Sequence, residues 1–167
     1  MLDVARIVGG IRAGWGEFPY FVHGLGCGGT LVAPDVVLTA AHCQGSFDYD
    51  VRVGSVYDSA GGQLVDTIKQ EEAVHPAFEN ATLANDIMLV KLAKPVYVAQ
   101  YASWNAVNGV PGFNSQRELT SVGFGKLSNG GPLSDTLQKV NLSYLNNDQC
   151  DELFSGTIHA SSQLCAR

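Results

Sequence analysis

Six short apolar or β-branched runs follow one another between turn residues: Tyr20–Leu25, Gly29–Ala33, Val36–Ala41, Val51–Val56, Val65–Ala73 and Ile87–Leu92. Runs this short, punctuated by glycines and polar turns, predict a closed antiparallel barrel and argue against a βαβ sheet. The 19 glycines and a charged fraction of only 16% suit a compact all-β chain with tight turns, not a disordered tail or a coiled coil. A net charge of −6 with no basic stripe argues against a nucleic-acid partner. The uncharged stretch from Phe18 to Pro34 contains four glycines and two prolines and is no membrane span.

Beyond Leu92 the pattern changes. Residues 93–117 lose periodicity and carry Pro95, Asn105, Asn108, Pro111 and Asn114, as an interdomain connection does. Strand-like segments resume at Leu119–Phe124 and Leu137–Leu142, and Asn147–Phe154 is a short helix candidate with Asp148 as its N-cap. Two or three strands cannot close a second barrel. That half is therefore expected to present open strand edges and exposed apolar side chains, Leu137, Val140 and Leu142 among them.

The chain has four cysteines, Cys27, Cys43, Cys150 and Cys165, which allow three pairings. The sequential pairing closes two short loops. An even count without any CxxC points to disulfides in an oxidising compartment and not to a zinc cluster. No export signal accompanies them, since Met1 to Arg6 holds no apolar stretch of the necessary length.

Three local patterns carry chemistry. In Arg6-Ile7-Val8-Gly9-Gly10, cleavage after Arg6 would free the Ile7 amine to fold inward against a buried carboxylate; the plain alternative is an ordinary strand start. In Leu38-Thr39-Ala40-Ala41-His42-Cys43, a buried strand delivers a histidine beside a cysteine, where it can act as a general base or simply be a satisfied core residue. In Asn85-Asp86-Ile87-Met88-Leu89-Val90, a carboxylate stands at the mouth of an apolar strand, placed to orient a histidine or to cap a turn.

Taken in order, these segments resemble the trypsin-like (chymotrypsin-fold) serine proteases from Arg6 to the last residue. Ile7-Val8-Gly9-Gly10 is similar to that family's activation site, Cys27-Gly28-Gly29-Thr30-Leu31 to the strand before its base, and Thr39-Ala40-Ala41-His42-Cys43 to the base motif. Asn85-Asp86-Ile87-Met88-Leu89 resembles the segment of the orienting aspartate. Val122-Gly123-Phe124-Gly125 stands where the family has Gly-Trp-Gly, with Phe124 a departure. The resemblance implies a trypsin-like double β-barrel. Residues 1–6 would be a remnant of the activation peptide, 7–92 a complete first barrel, 93–117 the connection and 118–167 a partial second barrel. It implies disulfides Cys27–Cys43 and Cys150–Cys165, His42 as general base, and Asp86 as the residue that orients it.

In this family the order is His, Asp, then Ser, and no Gly-Asp-Ser occurs in the sequence. Ser128-Asn129-Gly130-Gly131-Pro132 has a superficial likeness, but the resemblance puts it in a variable exposed loop ahead of the second cysteine pair, where Ser128 is expected to be a turn residue. The chain as given is accordingly expected to lack the nucleophile, the oxyanion hole and the specificity pocket, and to be inactive. The competing expectations are a non-catalytic pseudoprotease that serves as a binding module, or a poorly folding fragment. By the same resemblance the partners are protein or peptide substrates and protease inhibitors, with no nucleic acid and no membrane, and the location is extracellular. No cofactor and no metal are expected: Gly54–Gln63 offers only Asp58 for a calcium loop. His23, His75 and His159 are read as structural or exposed.

Overall fold

The computed structural model describes residues 7–103, 118–153 and 162–167. Strands β1 (Ile11–Arg12), β2 (Phe21–His23), β3 (Gly28–Ala33) and β4 (Val36–Thr39) lead to a single 3₁₀ turn at Ala41–Cys43. Strands β5 (Val51–Val53), β6 (Gln63–Val65), β7 (Thr67–Val74) and β8 (Met88–Leu92) follow. The remaining elements are β9 (Glu118–Gly123), β10 (Gln138–Leu145), one helix, α1 (Asn147–Leu153), and β11 (Cys165–Ala166).

The larger sheet has seven strands in the order β6-β5-β2-β3-β4-β8-β7. Its two ends, β6 and β7, are separated in sequence only by Asp66, so the sheet curls until both edges lie on one stretch of chain. The run at Val65–Ala73 is thus two strands: Val65 pairs with Val51 on β5, whereas Thr67 pairs with Leu92 on β8. Alternation along β4 and β8 turns Val37, Met88, Val90 and Leu92 inward against Val22, Leu31, Val51, Val53 and Phe47, all at 1% exposure or less. Burying each such side chain contributes about 1.5–3 kcal/mol. Glycine is required at one close approach, because a Cβ on Gly29 would lie 2.6 Å from Val37 Cγ1 and 3.2 Å from the Leu38 carbonyl. Val96 also joins this core, so the described part of the 93–117 stretch packs on the first sheet; residues 104–117 lie outside the described residues.

The second sheet is built on β10. Strand β9 pairs along one edge from Ser143↔Glu118 to Gln138↔Gly123, while β1 and β11 share the other edge. The N-terminal strand therefore belongs to the second sheet, and its two residues are too few to show any period in sequence. Helix α1 begins two residues earlier than a cap at Asp148 would place it. Asn146 Oδ1 accepts from the Gln149 N–H at 2.9 Å, and Gln149 Oε1 accepts from the Asn146 N–H at 3.1 Å. This reciprocal box makes Asn146 the cap. Asp148 sits instead in the first turn, where its charge complements the helix dipole.

The expectation of exposed apolar residues on the second half is corrected at Leu137. It is 1% exposed and packs with Ala13, Phe21, Val56 and Phe124 at the junction of the two sheets, while its N–H donates to the Val56 carbonyl at 2.9 Å. Val140 and Leu142 are half-buried. Replacing Leu137 by Ala is expected to cost about 2–5 kcal/mol, whereas Leu133→Ala, at 58% exposure, should stay within about 0.5 kcal/mol. Thermal melts of the two variants check this, and equal midpoints would remove Leu137 from the core.

Candidate active site

Antiparallel pairing of β4 with β8 places Thr39 opposite Met88. The chain leaving β4 and the chain entering β8 therefore meet at the same end of the sheet, and they carry His42 and Asp86. His42 stands in the 3₁₀ turn, where Cys43 is bonded to Cys27 at the start of β3. The disulfide ties the histidine's own turn to the strand beside it, which limits how far His42 can move.

Asp86 holds His42 at two points. Its Oδ1 accepts the His42 backbone N–H at 2.8 Å, and its Oδ2 lies 2.6 Å from the ring Nδ1. An ionised carboxylate only accepts hydrogen bonds, so Nδ1 carries a proton, and in the neutral ring Nε2 keeps its lone pair. The His42 side chain is 35% exposed against 19% for Asp86, so the basic nitrogen's ring is the accessible partner and the carboxylate the covered one. Local backbone structure fixes Asp86. Asn85 takes a left-handed φ of 56° and donates through Nδ2 to the Ala77 carbonyl at 2.9 Å, and the Ile87 N–H turns back to the Asn85 carbonyl at 2.8 Å. His75 contributes to the same corner: its N–H donates to the Ile87 carbonyl, and its Nδ1 accepts the Ala77 N–H at 3.2 Å.

The remaining sequence candidates are placed as follows. Arg6 and His159 lie outside the described residues. Ile7 is 4% exposed, and its N–H donates to the Lys126 carbonyl at 2.9 Å, which anchors it at the second sheet. Cys150 of α1 is bonded to Cys165 of β11. Ser128 is exposed and opens a turn in which the Gly131 N–H donates to the Ser128 carbonyl at 3.1 Å, with Gly130 at φ +73°. Cys27, His42 and Cys43 present ligand atoms within 4.8 Å of one another. Their two sulfurs are bonded to each other, however, and a disulfide offers no thiolate to a metal.

One cluster has no sequence signature. His23 stacks at 4.7 Å on Phe124 of the second half and pairs through Nδ1 with Asp58 at 3.3 Å, beside a cavity of about 980 Å³ that Ile7 and Phe21 also line. Asp58 is brought there across a loop, so no spacing in the sequence reveals the pair. Burial lowers the His23 pKa, Asp58 acts in the opposite direction, and Arg52 adds a further push downward. The folded chain thus resists protonating His23, while the unfolded chain takes up that proton near pH 6.5. This contribution to stability is present above that pH and is lost as the pH falls through the lowered value. Melting temperature is expected to drop between about pH 7.5 and about pH 5.5, and to drop less in His23→Gln. Equal slopes for the two chains would remove His23 from the effect.

The family model described as Trypsin matches residues 7–167. The chain is similar to the vitellin-degrading protease of Bombyx mori, 36% identical over 164 residues covering 90% of this chain and 60% of that protein. It is also similar to mast cell protease 8 of Mus musculus, 38% identical over 141 residues with 83% and 56% covered. A trypsin-like protease of Streptomyces glaucescens is 30% identical over 172 residues, with 97% and 60% covered. The chain thus spans between 56% and 60% of the length of these relatives. Among the described residues no helix is long and apolar enough to cross a membrane.

Proposed function

The chain belongs to the trypsin family of serine proteases, and from that membership we propose that it supplies the base and carboxylate of a serine endopeptidase's catalytic centre. His42 Nε2 is the atom that takes the proton of a nucleophilic hydroxyl and later gives it to the leaving amine. Asp86 keeps the ring in the tautomer that leaves Nε2 free and stabilises the imidazolium as it forms. The observation that carries this reading is the two-point contact, backbone N–H and ring Nδ1, between His42 and one carboxylate. Substrates would be extracellular proteins or peptides, with protease inhibitors as competing ligands. Cleavage between Arg6 and Ile7 would release an amine at a residue already buried against the second sheet.

The nucleophile is the part this sequence does not present, since it contains no Gly-Asp-Ser. The test is therefore made in the chain extended beyond Arg167 to include a Gly-Asp-Ser-Gly-Gly-Pro segment and nicked after Arg6. That protein is expected to hydrolyse peptide esters and to react with a fluorophosphonate, and His42→Ala should abolish both. Full activity in His42→Ala would overturn the assignment.

A further inference from the structure

Asp86 sits at the end of a loop with an unusual backbone. Leu83 and Asn85 both adopt φ of 56°, a left-handed conformation uncommon for a residue with a bulky side chain such as Leu. Much of the loop is held by its own groups. Glu79 bridges Ala84, Thr82 Oγ1 donates to Glu79 Oε2 at 2.7 Å, and the Ala84 N–H returns to Thr82 Oγ1 at 3.3 Å. A further contact comes from the far end of the chain: Gln163 Nε2 donates to the carbonyls of Thr82 at 3.0 Å and Leu83 at 3.3 Å. Two successive carbonyls turned toward one amide are what the left-handed Leu83 presents. Gln163 is itself fixed, because it lies two residues before Cys165, which is bonded to Cys150 in α1. Its neighbour Ser162 lines the same cavity as Asn85 and Asp86.

We propose that Gln163 is a positioning residue for the His42–Asp86 pair: it clamps the loop that carries Asp86 from the second half of the chain. This rests on the role given to Asp86 above and extends it. The carboxylate's aim at His42 Nδ1 depends on the Leu83–Asn85 backbone, and that backbone is held open toward Gln163 by the amide's two donated hydrogen bonds. The second half would then contribute to the catalytic base before any nucleophile is considered.

The test reads the pair directly and needs no activity. In proton NMR of the 167-residue chain, the Nδ1 proton of His42, held 2.6 Å from a carboxylate, is expected far downfield and in slow exchange with water. Gln163→Ala is expected to lose that resonance. Gln163→Glu keeps the side chain's size but offers carboxylate oxygens to two carbonyls, and should lose it too. Gln163→Lys, which keeps a donor, should retain it. Methyl shifts of Val22 and Leu31 should stay at their parent values in all three variants. A resonance that survives Gln163→Ala with the parent's exchange rate, or that survives in Gln163→Glu, would overturn the clamp while leaving the His42–Asp86 pair intact. Its absence from the parent chain would sink the pair, and the clamp with it.

Discussion

Asp86→Asn is expected to lower hydrolysis by the extended, nicked protein about 10⁴-fold, the scale of loss that follows a wrong histidine tautomer in such a triad. The two-point contact determines why. In the parent, Oδ1 accepts the His42 backbone N–H and Oδ2 faces ring Nδ1. An asparagine has one oxygen and one NH₂, and only the oxygen can satisfy the backbone N–H. Its NH₂ must therefore face Nδ1, which becomes the acceptor, and the ring proton moves to Nε2. The nitrogen that should receive the hydroxyl proton then already holds one. The switch is readable in this chain without a substrate, by ¹⁵N shifts of the His42 ring: parent protonated at Nδ1, variant at Nε2. Asp86→Ala, which orients nothing, should give a mixture. An Asp86→Asn ring still protonated at Nδ1 would show that the carboxylate does not set the tautomer.

How much of this was legible in the sequence depends on the range over which each feature is decided. The strands of the first sheet were legible because their burial is local: in β4 and β8 inward residues alternate with outward ones over four and five positions. The strand break at Asp66 was not legible: Val65–Ala73 reads as one run with several charged residues, and the chain changes neighbour at Asp66 only because the sheet curls. The helix cap was within reach. Asn146 stands three residues before Gln149, and that spacing distinguishes it from Asp148. Leu137 was misread because its surroundings are Phe21 and Val56, contributed by segments far earlier in the chain. No window around Leu137 contains them. The same applies to the site. His42 and Asp86 stand out in sequence through family motifs, while the register Thr39↔Met88 that brings them together is a property of the sheet. His23, at the end of β2, pairs with Asp58 of a loop, and Gln163 meets the Leu83 loop; loops carry no periodicity from which to infer a partner.

The 167-residue chain by itself is expected to hydrolyse no peptide, even after cleavage at Arg6. Its base is assembled: Asp86 faces Nδ1, which in the neutral ring leaves Nε2 as the acceptor, and the ring is accessible. Among the described residues, however, no hydroxyl is hydrogen-bonded to that ring, and a nucleophile must come within about 2.6–3.2 Å of its base. Ser128 lies on an exposed turn closed by Gly131. Ser162 lines the cavity beside Asp86 and Asn85, of which His42 is not part. A triad that loses one member still keeps about 10³–10⁴-fold over water through its oxyanion hole and substrate binding. The sequence holds no Gly-Asp-Ser segment to supply those backbone donors, so that residual rate should be absent too. Incubation of the chain, intact and nicked, with a fluorophosphonate followed by intact-mass measurement decides the matter. No adduct is expected in either form. A stoichiometric adduct that disappears in His42→Ala would show that another serine reaches the base, and peptide mapping would then identify it, with Ser162 the first to examine.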